Sequence, residues 1–379
     1  MANIFLLTEK YTPDIGGLAI SAGRIARLLV SAGHAVKVFA PTTSLPAGEE
    51  YCFEHEGVRV HRFSAHKQTA DTLADWFDRV TAQHKAEGAD LLHAFFLPQA
   101  GFVSAFAGNF LGLPSVVSAR GNDLDRAVFD PARAAHILYA LQHASAVTTN
   151  ASNLVNKACA LVPGLKVSLI PNGVDAQHFC PLQRNRSLAK QLGLDDKPVI
   201  GFAGELREKK GLKPLLNAYA QIAKVLPAHL LIVGDLRPGD DQAYFSAFLQ
   251  EHSHLSVHVT GYVSPSDLPA YYALMDVLAI PSLHDGLPNA LLEGMACERA
   301  TVTTPIGGMA DVIRDGENGC FVEAGEAKAL ADQITNLLQD KAELKRLGQN
   351  ARKTILHDYT LQKELDGNLT VYRQIGLTI

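Results

Sequence analysis

At 379 residues the chain exceeds one ordinary core and divides into two domains of roughly 150–200 residues each. Hydrophobic residues make up 47% and charged residues 19%, a balance that excludes an intrinsically disordered chain. The net charge of −5 carries no long run of one sign, which excludes the basic stripe of a nucleic-acid binder; peripheral contact with an anionic membrane stays open, but nothing indicates it.

Residues 4–8 read as a buried strand, and 18–31 follow as a helix with Ala22, Ile25, Ala26 and Leu29 on one face. Gly33 and His34 close that helix, and strands are expected over 36–40 and 58–63, then a helix over 68–87. Strands over 91–94, 115–119, 146–149 and 167–170 alternate with helices near 99–110, 132–142 and 152–161. Between 171 and 197 the chain turns polar and is broken by Pro171, Gly173, Pro181 and Gly193. The rhythm resumes with strands over 199–203, 229–233, 257–260, 277–281 and 301–303, and helices over 212–226, 242–251, 267–275 and 288–297. The tail from Gly325 is almost all helical. This alternation predicts an α/β protein of two doubly wound, Rossmann-like domains facing across a cleft, with the site at the carboxyl ends of their strands. The domains are expected over 1–175 and 198–357, with a linker over 176–197 and a terminal helix over 358–379.

The five cysteines, Cys52, Cys159, Cys180, Cys297 and Cys320, are scattered without a C-x-x-C pair. They read as buried thiols in a reducing compartment, not as a disulfide framework or a zinc knuckle. The apolar run near Met1 is four residues long, too short for a signal peptide or for the ~20 residues of a membrane span, so a cytoplasmic protein is expected.

Three segments carry chemistry. In Pro13-Asp14-Ile15-Gly16-Gly17, adjacent glycines before a helix let the backbone approach a phosphate; a tight strand-to-helix turn is the competing reading. In the stretch from Gly201 to Gly211, Arg207, Lys209 and Lys210 crowd a helix entrance, where cations oppose the helix dipole. A bound diphosphate would relieve that opposition, and a solvated charged turn is the alternative. In the stretch from Pro281 to Ala296, Asp285 stands in the loop after a strand and Glu293 in the following helix, beside apolar Leu291, Leu292, Met295 and Ala296. Between them Gly286, Leu287, Pro288 and Asn289 form a helix start whose N–H groups suit a phosphate or sugar hydroxyls.

Together these segments resemble the GT-B glycosyltransferases, in particular the retaining family 4 group. The likeness also takes in Gly33-His34-Ala35-Val36, Pro171-Asn172-Gly173-Val174-Asp175, Gly261-Tyr262-Val263 and the run from Ile306-Gly307-Gly308 to Ile313. It implies a transferase that moves a sugar from a nucleotide-sugar donor, a co-substrate and not a bound cofactor, to a sugar, lipid-linked or small-molecule acceptor. By the resemblance, Glu293 holds the ribose hydroxyls, Asp285 meets the donor sugar, Lys210 clasps the diphosphate and Gly17 lines its other side. The backbone around Val263 meets the base, and the last helix crosses back to the first domain. No metal is implied, since Asp123-Leu124-Asp125 is too short a D-x-D to mean one.

Two positions depart from the family. Glu205 stands where arginine is usual, and an acid there repels a diphosphate unless Arg207 or Lys209 compensates. Arg120, before Asp123, stands where many members have an acceptor-side histidine; it is always protonated, so it either binds an anion of the acceptor or donor or pairs with Asp123 or Asp125. The departing phosphate can itself take the acceptor's proton, so catalysis does not need the histidine. A nucleotide-sugar epimerase of the same fold and a non-enzymatic nucleotide-sugar binder are the rival readings. Phe95, Phe96, Phe102 and Phe106 are expected in the core by their helical spacing, rather than along an acceptor wall.

Overall fold

A computed structural model describes residues 1–378 and divides the chain into two compact units, Met1–Asn172 with Leu361–Ile379, and Gly173–Thr360. The first unit holds eight strands: β1 Asn3–Thr8, β2 Ala35–Thr42, β3 Glu50–His55, β4 Val58–Ser64, β5 Leu91–Phe95, β6 Ser115–Ala119, β7 Ala146–Thr149 and β8 Val167–Leu169. They lie in the order β3-β4-β2-β1-β5-β6-β7-β8, all parallel except the β3–β4 hairpin. The second unit holds β9 Val199–Ala203, β10 His229–Val233, β11 Val257–Val259, β12 Val277–Ile280, β13 Ala300–Thr303 and β14 Cys320–Phe321. Their order is β11-β10-β9-β12-β13-β14, all parallel.

The strands are apolar along their whole length because both faces of each sheet are covered. On β1, Phe5 and Leu7 join one core, while Ile4 and Leu6 join the core on the opposite face. On β9 and β10 the same alternation sends Ile200, Phe202, Leu230 and Ile232 to one side, and Val199, Leu231 and Val233 to the other. Fully burying one such side chain contributes about 1.5–3 kcal/mol, so the two sheets dominate the stability of their units.

The terminal helix Leu361–Gln374 belongs to the first unit, where Leu365, Val371 and Tyr372 complete the core beside the helix Gly17–Ser31. Two buried polar contacts fix it there. Arg24 donates from Nε and Nη2 to the two carboxylate oxygens of Glu364 at 2.6 and 3.1 Å. Tyr372 Oη lies 2.6 Å from His93 Nδ1, His93 Nε2 lies 2.9 Å from Ser118 Oγ, and Ser118 lies 2.6 Å from Thr148 Oγ1. Burial drives the Tyr372 phenol far up and the His93 imidazole down to about 3, so a protonated tyrosine meets a neutral histidine.

Three expectations meet a different structure. Residues 41–57, read as a loop, contain β3, which pairs antiparallel with β4 at the sheet edge. The stretch 176–197, read as a linker, packs inside the second unit, where Phe179, Ala189 and Leu194 join the core and Asn185 caps the helix Arg186–Gln191. Phe106, expected in the core, is 42% exposed on the charge-free helix Phe102–Leu111, and Phe110 on the same helix is 66% exposed. Among the described residues, no helix is long and apolar enough to cross a membrane.

Candidate active site

In an open parallel sheet, a crevice forms where neighbouring strands send their chains to opposite sides. In the second unit that point lies between β9 and β12, because β9 leads to β10 on one side while β12 and β13 extend the sheet on the other. The loops after β9 and β12 therefore meet. The N–H groups of Leu283 and His284 donate to Lys209 O at 2.9 and 3.2 Å, binding the cationic loop to the Asp285 loop. Gly211, at φ 85°, sits so close to the Pro281 carbonyl that no side chain fits.

The Lys210 ammonium pairs directly with the Asp285 carboxylate, both side chains being mostly buried. Asp285 Oδ1 accepts from Gly286 N at 3.1 Å, and Ser282 Oγ lies 3.4 Å from Asp285 Oδ2. Behind this segment, Gly308 N donates to Gly286 O at 2.7 Å, and a Cβ at Gly307 would collide with the Asp285 and Gly286 carbonyls. The Ile306-Gly307-Gly308 run thus sets the backbone on which Asp285 stands. Arg207 Nη1 lies 3.2 Å from Glu205 Oε2, so the acid at the departing position is matched by its own loop, and Arg207 is directed to Glu205 and not to Asp285.

Glu293 lies in the helix Asn289–Ala296, whose other face carries buried Leu291, Leu292, Met295 and Ala296. Tyr272 donates to Glu293 Oε2 at 2.8 Å. Burial and then the adjacent Glu293 charge hold the Tyr272 phenol well above its ordinary range, so it remains a donor. Gly286, Leu287 and Pro288 lead into this helix, and Val263 follows β11 at the same carboxyl edge of the sheet. Tyr272 went unnoticed in the sequence, where a tyrosine in a short apolar helix carries no signal of what it supports, and Gly307 was seen only as part of the family likeness, with no role.

In the first unit the corresponding point lies between β1 and β5. Gly16, at φ 134°, ends the loop after β1 and precedes the helix Gly17–Ser31. A Cβ at Gly17 would meet nothing within 4 Å, so packing in its own unit does not demand glycine there. Asp14 anchors this loop: its Oδ2 accepts from Tyr11 N at 3.1 Å and from both terminal nitrogens of Arg62 at 3.0 Å. Arg62, only 1% exposed, also donates to Tyr11 O at 2.7 Å. Glu9, next to β1, accepts from Gln99 N at 3.1 Å at the start of a π-helical turn, Leu97–Gly101. Burial, opposed by that backbone donor, raises the Glu9 carboxyl to about 7.

Arg120 and Asp123 follow β6. The Asp123 carboxylate accepts the backbone N–H groups of Arg120, Gly121 and Leu124, at 2.8–3.1 Å. Asp125 pairs with Lys157. Among the described residues, Arg120 forms no salt bridge to either acid: the Asp123 carboxylate receives backbone N–H groups and Asp125 pairs with Lys157. The guanidinium instead lies 4.6 Å from the Phe95 ring centroid and donates to Asn172 Oδ1 at 3.0 Å. Burial lowers Arg120 to about 10, which leaves it charged at neutral pH.

Two family models match the two units in turn: a glycosyl transferase 4-like domain over residues 16–173 and the glycosyl transferases group 1 model over residues 197–340. N-Acetyl-alpha-D-glucosaminyl L-malate synthase of Bacillus anthracis is 23% identical, over 96% of this chain and 95% of its own. A GDP-mannose-dependent alpha-mannosyltransferase of Mycobacterium tuberculosis is 27% identical, over 93% and 92%. Among solved structures, sucrose-phosphate synthase of Thermosynechococcus elongatus superposes with a TM-score of 0.85 at 22% identity, covering 99% of both chains. Anabaena Alr3699/HepE, solved with UDP and glucose, gives 0.80 at 22% identity, over 99% of this chain and 100% of its own. The architecture of these structures is the GT-B fold, and the relatives and family models agree on one chemistry: the chain belongs to the family 4 type of glycosyltransferase and is a hexosyltransferase.

Proposed function

We propose that the enzyme transfers a hexose from a nucleoside-diphosphate sugar to its acceptor with retention of anomeric configuration, and that it works in the cytoplasm. The observation that carries the reading is the meeting of Lys210 and Asp285 where the β9 and β12 loops converge, with Glu293 one helix away. Relatives named for GDP-mannose and a fold neighbour solved with UDP and glucose support a nucleotide-sugar donor. Five free cysteines support a reducing compartment.

In this reading Glu293, oriented by Tyr272, accepts from the ribose hydroxyls, and the backbone at Val263 meets the base. Asp285 and the turn from Gly286 through Leu287 and Pro288 to Asn289 receive the sugar and phosphate oxygens. Gly16 and Gly17 let the first unit's backbone come close to a phosphate. The barrier to transfer lies in separating a negative diphosphate from a developing oxocarbenium ion. Lys210, held in place by Asp285, supplies fixed positive charge for the departing phosphate. Arg207 acts indirectly, by cancelling Glu205. The departing phosphate takes the acceptor's proton, so no side-chain base is required. Arg120 and Asp123 stand on the acceptor side, with Asp123 shaping the Arg120 loop through the backbone.

The test is turnover of UDP-, GDP- and ADP-hexoses, with the first-formed anomer read by proton NMR. An α-linked donor should yield an α product, and Lys210→Ala should lower kcat by roughly 100-fold or more, the loss typical of one fixed electrostatic stabiliser. A first-formed β product would overturn retention, and an undiminished Lys210→Ala variant would overturn the role given to Lys210.

A further inference from the structure

We propose that Arg120 receives an anionic group, a carboxylate or a phosphate, carried by the acceptor. This rests on the acceptor-side reading of the first unit and names the chemical class of that substrate. The carboxylates nearest in electrostatic terms are already committed. Asp123 accepts backbone N–H groups, and Glu364 takes the Arg24 guanidinium. Asp125, two residues further along, pairs with Lys157. Among the described residues, Arg120 makes no ion pair; it has one hydrogen bond, to Asn172, and one aromatic face, Phe95.

The Arg120 guanidinium is only partly exposed to water, and a charge so placed gains from an anion that meets it. Its partners hold it without discharging it: Asn172 is neutral, and its Oδ1 lies 3.5 Å from Asn150 Nδ2. Phe95 offers only the face of a ring. The location also favours a ligand. Arg120 follows β6, Asn150 follows β7 and Asn172 comes shortly after β8, so three successive parallel strands present polar groups at their carboxyl edge. The planar fork of arginine suits the two oxygens of a carboxylate or phosphate, whereas a neutral hydroxyl would leave the charge uncompensated. A neutral sugar acceptor would make little use of this residue.

The experiment titrates inorganic phosphate and, separately, malonate into the full chain, with UDP, GDP or ADP at saturation, and follows thermal stability. Wild type, Arg120→Gln, Arg120→Lys and Glu293→Ala are compared. The expected result is a saturable anion effect in wild type whose midpoint rises at least about tenfold in Arg120→Gln, and about three- to tenfold in Arg120→Lys, which keeps the charge but loses the fork. The stronger of the two anions identifies the group as phosphate or carboxylate. Equal midpoints in wild type and Arg120→Gln, or no saturable effect of either anion, would overturn the proposal. If Arg120→Gln does not fold, an unchanged midpoint in Arg120→Lys overturns it instead. Loss of the nucleotide effect in wild type would contradict the donor reading, whereas the anion titration on its own reads Arg120. Glu293→Ala should lose the nucleotide effect and keep the anion effect.

Discussion

Acids that support structure in this protein have basic partners, some close by in sequence and some far away. Glu205 has Arg207, Asp14 has Arg62, and Asp125 has Lys157. Glu9 and Asp123 are acids whose burial works against their charge, raising Asp123 to about 6 and Glu9 further. For Glu9 the unfolded value is 4.5 and the folded value about 7, so the folded state holds a proton that the unfolded state has released between those limits. The stabilisation is complete below pH 4.5 and is lost as pH rises through about 7. His93 acts in the opposite sense: folded as a neutral imidazole at about 3 against 6.5, its stability is complete above pH 6.5 and falls below it. The wild-type profile blends these two with Asp123, so the difference between variants is what isolates Glu9. Glu9→Gln should leave stability unchanged at pH 4 and raise it at pH 8, by up to about 3 kcal/mol. Urea unfolding at both pH values checks this, and equal effects at the two would show that Glu9 titrates normally.

Among the elements, the terminal helix has the most distinctive role, because it returns to complete the core of the first unit. Glu364→Ala would strand the buried Arg24 charge and should cost about 3–5 kcal/mol. Tyr372→Phe would leave the buried His93 Nδ1 without its hydrogen-bond partner and should cost about 1–3 kcal/mol. Both losses should appear as lower urea midpoints, with donor KM unchanged. Periodicity reveals this helix but not where it docks, since its apolar stripe suits any core; only the family likeness indicated the first domain. Strands such as β1, β9 and β10 are legible because both faces are buried, which writes them as unbroken apolar runs. β3, Glu-Tyr-Cys-Phe-Glu-His, is half-exposed at an edge, so charge interrupts its run and it reads as loop. In the site, Lys210, Asp285 and Glu293 were visible because they stand at strand-to-helix transitions. Tyr272 and Arg62 were not, and Gly307 was named without a role, because their work is done on neighbours far away in sequence. The fate of Arg120 depended on whether Asp123 was already occupied, which no local pattern encodes.

On the scale of the molecule, two doubly wound units each place their informative residues at the carboxyl edge where strand order reverses. The second carries paired charges around Lys210 and Asp285; the first carries an open glycine turn and Arg120, which forms no ion pair among the described residues. The central claim is that the second unit binds a nucleoside diphosphate through Glu293 and Lys210. The most direct measurement is calorimetric titration of UDP, GDP and ADP into wild type, Glu293→Ala and Lys210→Ala. One nucleotide should bind tightly to wild type, with affinity reduced about tenfold or more in each variant, the loss typical of one charge-assisted contact. Binding of equal strength in all three proteins, or no binding of any nucleotide to wild type, would contradict it.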